Sequence, residues 1–385
     1  MHLIDISQCY VPECRKIRSY FTAKSKWLSG FSHVRHTLVV PGFTSPCENG
    51  KMVRIPSIRI PFFPGFRLSR SRKSIEFLIK SMHPDCIEVS DPFQFARAAV
   101  NIRQESNILI GAFCHFHPAY ITPWRLGSEK QAIRKLIQLY SHFDLVFASS
   151  MSLLEKFHEY GLKQIRYLPP GIDTAVFHPD TMDCAMRDRL GLKEKTRLLA
   201  YVEYTPGHKN REVLFEAMQR LDDRYHLLVI GSNPKNINND RVSYFYFHQQ
   251  THPPEMLATL IASCDVLIHP ELHQNYPLSI LEAMSCGLPV VGFDSGSFKE
   301  FVDEHNGICV DAICPQKLAE GIALAYEKGI MSMGSAARKR AEKNHDWQDL
   351  LARWRADYVS LLASKGNYPK DPPGYQEPPS PPILH

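Results

Sequence analysis

Short β-branched or apolar runs alternate with longer amphipathic stretches along nearly the whole chain, and this alternation limits the fold more than any other feature. "MHLIDIS", "HTLVVPG", "CIEVSD", "NILIGAFC", "DLVFASS" and "IRYLPPG" read as strands in the first half, and "RLLAYVE", "HLLVIGS", "VSYFYF", "DVLIHP", "LPVVGFD" and "GICVD" in the second. Helical patterns such as "SEKQAIRKLIQLYSHF", "SLLEKFHEYG", "NREVLFEAMQRLD" and "PEMLATLIASC" lie between them. Strands that alternate with helices build parallel sheets covered on both faces, with ligands at the carboxyl ends of the strands. So many strands in 385 residues require two sheets and two cores. The class is therefore α/β, with two doubly wound parallel-sheet domains.

The turn formers Pro169, Pro170 and Gly171, continuing through "IDTAVFHPD" to a helix near Met182, mark the boundary. Residues 1–172 form the first domain and 173–345 the second. Residues 346–364 form a helix whose apolar stripe, Trp347, Leu350, Leu351, Trp354, Tyr358 and Leu361, is expected to pack back on the first domain. The proline-rich residues 365–385 read as an extended tail.

Composition narrows the function only slightly. Forty-five basic against forty acidic residues give a net charge of +5, a mild excess that suits anionic ligands without demanding nucleic acid. Ten scattered cysteines, with no CxxC pair, fit reduced thiols in a cytoplasmic protein better than a disulfide framework or zinc site. The start "MHLIDISQCYVPE" is no signal sequence, and no window reaches the ~18 apolar residues of a membrane span, so any membrane contact is expected to be peripheral. "RIPSIRIPFFPGFRLSRSRK", Arg54 to Lys73, interleaves six basic residues with Phe62, Phe63 and Phe66. A strand and loop with solvated arginines is the preferred reading of it, and a peripheral contact with the inner face of a membrane or a lipid-linked acceptor the alternative.

The chemistry concentrates in "HQNYPLSILEAMSCGLPVV", His273 to Val291. A helix starting near Leu278, after Pro277, leaves free N–H groups at Leu278, Ser279 and Ile280 and a partial positive charge suited to phosphate. One turn further in, the lone carboxylate of Glu282 is placed to accept hydrogen bonds from the sugar hydroxyls of a nucleoside whose phosphate meets the helix start. Its plainer role would be to interact with the dipole of its own first turn.

"QNYPLSILEAMSCGLPVV" resembles the signature of the retaining glycosyltransferases of family 4, the glycosyl transferases group 1 with the GT-B fold, which implies two Rossmann-like, doubly wound domains facing a central cleft. "DLVFASSMSLLEKFHEYGLKQIRYLPPGIDTAVFHP", "HKNREVLFEAMQRL", "DSGSFKEFVDEHNGICV", "VPECRKIRSYFTAK" and "HTLVVPG" extend the resemblance over about Met1 to Ala363. It implies that Glu282 binds ribose, that Leu278 and Ser279 receive the distal phosphate, and that Lys209 neutralises the diphosphate leaving group. It also implies that His115 lies where acceptor and donor sugar meet, and that Gln274, Asn275 and Pro277 border the donor. The co-substrate would be a sugar linked to UDP or GDP, with no cofactor and no required metal.

The chain departs from the family pattern at several of these positions. Arg15-Lys16 stands for a Gly-Gly pair, Glu203-Tyr204 for Gly-Arg, Gln274 for the first of two glutamates, and His117 for an aspartate. Glycine is used in that first loop because a side chain would occupy donor space. Across these positions the family pattern sums to −1 and this chain to +1, so Arg15 or Lys16 can replace the cation lost at Tyr204 if either points inward. The expectation is a retaining, hexosyl-type transferase acting on a hydroxyl acceptor (polysaccharide, lipid-linked or small-molecule glycan). Its rival is an inactive GT-B pseudoenzyme serving as a binding or partner subunit.

Overall fold

The first strand, β1 (His2–Ile6), is buried along its whole length, as a strand covered on both faces must be. In the computed structural model, which describes residues 1–10, 15–42, 52–60, 67–106, 108–115, 129–204, 211–231, 240–247, 252–272 and 278–364, this strand is central to the first sheet. Around it lie β2 (Arg35–Gly42), β3 (Met52–Arg59), β4 (Arg67–Ser69), β5 (Cys86–Val89), β6 (Leu109–Cys114), β7 (Leu145–Ala148) and β8 (Ile165–Tyr167). Their order is β4-β3-β2-β1-β5-β6-β7-β8, parallel except for the antiparallel β3–β4 edge. The second sheet contains β9 (Arg197–Glu203), β10 (Tyr225–Gly231), β11 (Val242–Tyr246), β12 (Val266–His269), β13 (Val290–Phe293) and β14 (Gly307–Val310), in the order β11-β10-β9-β12-β13-β14.

Both sheets reverse their winding beside their first strand: β1 lies between β2 and β5, and β9 between β10 and β12. A crevice opens at the carboxyl ends of the strands at each reversal. The segments that leave β1, β9 and β12 therefore face the cleft.

In the first domain, α2 (Arg72–Ser81), α3 (Gln94–Glu105), α4 (Glu129–Tyr140) and α5 (Met151–Glu159) cover one face of the sheet, packing on Ile4, Ile6, Ile87 and Val89. The other face is covered by α1 (Arg15–Leu28) and by the last helix of the chain. In the second domain, α6 (Met186–Arg189), α7 (Arg211–Arg220), α8 (Pro254–Ala262), α9 (Leu278–Ser285), α10 (Phe298–Phe301), α11 (Pro315–Lys328) and α12 (Ile330–His345) follow.

The last helix, α13 (Trp347–Ser364), returns to the first domain. It buries Trp347, Leu350, Leu351, Trp354, Tyr358 and Leu362; Leu361, assigned to the stripe from its spacing, is only partly buried, and Leu362 takes its place. Gly111 allows this close approach, since a Cβ there would collide with the Tyr358 hydroxyl. At the crossing between domains, Ile172 and Asp346 form a parallel bridge, with Ile172 N–H donating to His345 O at 2.8 Å and Trp347 N–H to Ile172 O at 3.2 Å.

A charged network is sealed beneath α1 and α13. Lys24 Nζ donates to Asp5 Oδ1 and to Glu88 Oε1, both at 2.7 Å, and His36 Nε2 lies 2.6 Å from Asp5 Oδ2. Glu88 also accepts from Tyr20, Trp354 and Tyr358 at 2.6, 2.6 and 2.7 Å. Lys24, Asp5 and Glu88 are wholly buried, and buried charges persist when each is paired and hydrogen-bonded. The Arg54–Lys73 stretch supplies β3, β4 and the start of α2; Phe62, Phe63 and Phe66 lie outside the described residues, as do residues 365–385.

Candidate functional site

The chain leaves β1 through Ser7, Gln8 and Cys9, which are gathered by one carboxylate. Asp91 Oδ2 accepts from Ser7 Oγ, Gln8 N–H and Cys9 N–H at 3.0, 2.6 and 3.1 Å. Burial pushes the Asp91 carboxyl up to about 6, against the lowering effect of these hydrogen bonds. Asp91 thus fixes the approach to α1, whose first residue is Arg15. No sequence signal marked Asp91 beyond its position after a central strand.

Glu282 lies in the second turn of α9, the helix following β12, and every residue of α9 is buried. Two groups converge on its carboxylate. Arg15 Nη2 from the first domain forms an ion pair with Oε1, and the Tyr204 hydroxyl, just beyond β9, donates to Oε2. The Arg15 guanidinium lies over the Tyr204 ring, 4.7 Å from its centroid. Arg15 Nη1 is buried and has no hydrogen-bond partner among the described residues. The carboxylate thus bridges the cleft.

Burial pushes Glu282 up to about 7, although Arg15 and Tyr204 both favour the charged form. Tyr204 is held well above the usual phenol range, first by burial. Glu203 pairs with Arg211 at 3.2 and 3.3 Å, and Arg211 Nη2 donates to the Tyr244 hydroxyl at 3.0 Å. Arg211 was not singled out from the sequence, although it opens α7 two residues after Lys209.

His115 ends β6 and is buried against Phe113, with ring centroids 4.1 Å apart, and Tyr20, at 5.2 Å. Burial, with the charges of Lys16 and Lys24, lowers its imidazole to about 3, so it is neutral at working pH. Leu278 and Ser279 begin α9 as expected, and Ser279 Oγ lies 3.3 Å from His269 Nδ1. Lys209, Gln274, Asn275 and Pro277 lie outside the described residues.

Beside the Arg15–Glu282 pair is a cavity of about 290 Å³. Its walls include Arg18 and Thr22 of α1, Val176 and Phe177 of the linker, Pro254 and Trp347. It is near the lower end of the ~300 Å³ upward range typical of ligand pockets, and its walls combine apolar side chains with charged ones, among them Arg15, Arg18, Lys26 and Glu282.

Two family models match the chain: Glycosyltransferase Family 4 over residues 30–176 and Glycosyl transferases group 1 over residues 184–345. A GDP-mannose-dependent alpha-(1-6)-phosphatidylinositol dimannoside mannosyltransferase of Mycobacterium tuberculosis is 22% identical, over 95% of this chain and 96% of the relative. A GDP-mannose-dependent alpha-mannosyltransferase of Corynebacterium glutamicum is 21% identical, over 83% and 78%. Among solved structures, sucrose-phosphate synthase of Thermosynechococcus elongatus superposes with a TM-score of 0.72 at 17% identity, covering 94% of this chain and all of that one. Anabaena Alr3699/HepE in complex with UDP and glucose gives 0.70, also at 17% identity, with coverage of 94% and 100%.

Proposed function

The chain belongs to the family 4 glycosyltransferases of GT-B fold, and from that premise we propose that it moves a hexosyl group, with retention, from a nucleotide diphosphate sugar to a hydroxyl acceptor. The observation that carries this reading is the Glu282 carboxylate, wholly buried at the crevice of the second sheet, with a cavity beside it and two displaceable donors on its oxygens. Ribose hydroxyls replace those donors. The first N–H groups of α9, at Leu278 and Ser279, and the side chain of Lys209 receive the phosphates. Fixed positive charge on the leaving diphosphate is the main catalytic work, without a required metal, while the acceptor approaches from the same face. His115, neutral, orients a sugar or acceptor hydroxyl by hydrogen bonding rather than by carrying charge.

GDP-mannose is the first donor to test, because both mannosyltransferase relatives are named for it; UDP-glucose is the second, given the UDP complex of the structural neighbour. The acceptor is a glycan or lipid-linked hydroxyl reached from the cytoplasmic side. Residues 52–82 hold seven basic residues and one acidic, net +6 of the chain's +5, so the rest of the chain sums to −1. Exposed Ile58 and Phe77 accompany that charge, which suits peripheral contact with an anionic surface; no helix among the described residues is long and apolar enough to cross a membrane. Incubation with each donor, with product anomers read by NMR, tests the reading. Retained configuration is the expected result, and inversion or inertness toward every donor opposes it.

One observation favours a second reading, that of a binding subunit without turnover. Arg15 and Tyr204 already engage both oxygens of the carboxylate assigned to ribose.

A further inference from the structure

We propose that Arg15 is a donor ligand delivered from the opposite domain: in the donor-free protein it neutralises Glu282, and on donor binding it turns to the diphosphate while the ribose hydroxyls take over Glu282. This assignment rests on the nucleotide-sugar reading above and names a residue of that site.

Four observations converge on it. The guanidinium belongs to the first domain and Glu282 to the second, so their ion pair spans the cleft in which a donor must lie. Tyr204, just beyond β9 of the second domain, supplies no cation there, and its ring forms the platform under Arg15. Glu203, next to Tyr204 in the sequence, is engaged by Arg211. Finally, Arg15 uses only one terminal nitrogen on Glu282; Nη1 is buried with no hydrogen-bond partner among the described residues. A planar guanidinium presents two parallel donors, the geometry that grips a phosphate in a forked pair.

The exchange leaves both groups with partners, although Glu282 trades a cation for neutral donors. Before it, a buried carboxylate faces a partly buried guanidinium; after it, the carboxylate accepts from two neutral hydroxyls and the guanidinium faces an anion. A nucleoside without phosphates can make only the first half, since it frees Arg15 but offers it no new partner. Arg15 should therefore oppose nucleoside binding and support diphosphate binding. An inert plug would oppose both, and a residue of purely structural importance would set neither apart.

The test is calorimetric titration of the full chain, as wild type, Arg15→Ala and Arg15→Lys, with GDP and guanosine and with UDP and uridine. In Arg15→Ala the nucleoside should bind more tightly, and the ratio of diphosphate to nucleoside affinity should fall about tenfold or more, the loss expected of a charge-assisted hydrogen bond. Arg15→Lys, which keeps the charge but not the fork, should recover part of that ratio and provides the comparison should the alanine variant fold poorly. An unchanged ratio, with both ligands tightened equally or neither affected, overturns the assignment while leaving the nucleotide site in place. If no nucleotide or nucleoside binds any folded variant, the donor-site reading itself fails, and the assignment with it.

Discussion

Trp354 Nε1 donates to Glu88 Oε2 at 2.6 Å, joining the last helix to a central strand of the first domain across 266 residues of sequence. Glu88 receives three further donors, from Lys24, Tyr20 and Tyr358, so both its oxygens are hydrogen-bonded away from water. Replacing Glu88 with Ala halves the ion pairing of Lys24, which keeps Asp5, takes the acceptor from the buried donors of Tyr20, Trp354 and Tyr358, and should cost about 3–5 kcal/mol. Trp354→Phe, which loses one hydrogen bond from a carboxylate with other donors, should cost about 1–3 kcal/mol. Urea unfolding of both variants checks the ordering.

Ending the chain after Asn344 removes α13 and exposes the face of the first sheet built from Leu3, Leu38, Phe113 and Phe147. Thermal melting should fall sharply, with loss of a single cooperative transition. A melt like that of the full chain would show that the buried stripe adds little to stability.

The pH dependence of stability should carry the mark of Glu282. Burial raises its carboxyl from 4.5 to about 7, so the folded protein binds this proton more tightly than the unfolded chain does. The stability it contributes is full below about 4.5 and is lost as pH rises through about 7, in total roughly 3 kcal/mol. Glu282→Gln should therefore flatten the decline in melting temperature between pH 4.5 and 7 relative to wild type. Parallel pH profiles for the two proteins would contradict this.

His115→Ala should lower turnover while leaving nucleoside diphosphate affinity within a factor of a few, since the ring lies in the first domain and the nucleotide is assigned to the second. The turnover of wild type should show no step near pH 6.5 that disappears in this variant, because burial keeps the imidazole neutral down to about 3. A step that vanishes with the histidine would mean that it carries a proton in the reaction.

Much of the fold was legible because strand and helix periods differ and because β1, β9 and the strands beside them are buried on both faces and therefore read as unbroken apolar runs. β3 and β4 were harder: exposed Arg54, Pro56 and Arg59 obscure the alternation of β3, and β4, at the sheet edge, is only three residues long. In the site, Glu282 was visible as a lone charge in an apolar helix. What sequence could not give was direction. Arg15 could point inward or outward at the start of α1, and only packing against the Tyr204 ring sends it across the cleft. The pairing of Glu203 with Arg211 was equally hidden, since it joins the end of one strand to the start of the next helix across residues whose pattern carries no trace of it.

The account depends above all on Glu282 as the ribose ligand of a nucleoside diphosphate. Calorimetric titration of GDP and UDP into wild type and Glu282→Ala, each verified as folded by its melting curve, tests this most directly. At least one diphosphate should bind the wild type, and the variant should bind it more weakly by about 1.5–3 kcal/mol, the range for hydrogen bonds to a charged group. Equal affinity in the two folded proteins would contradict the account.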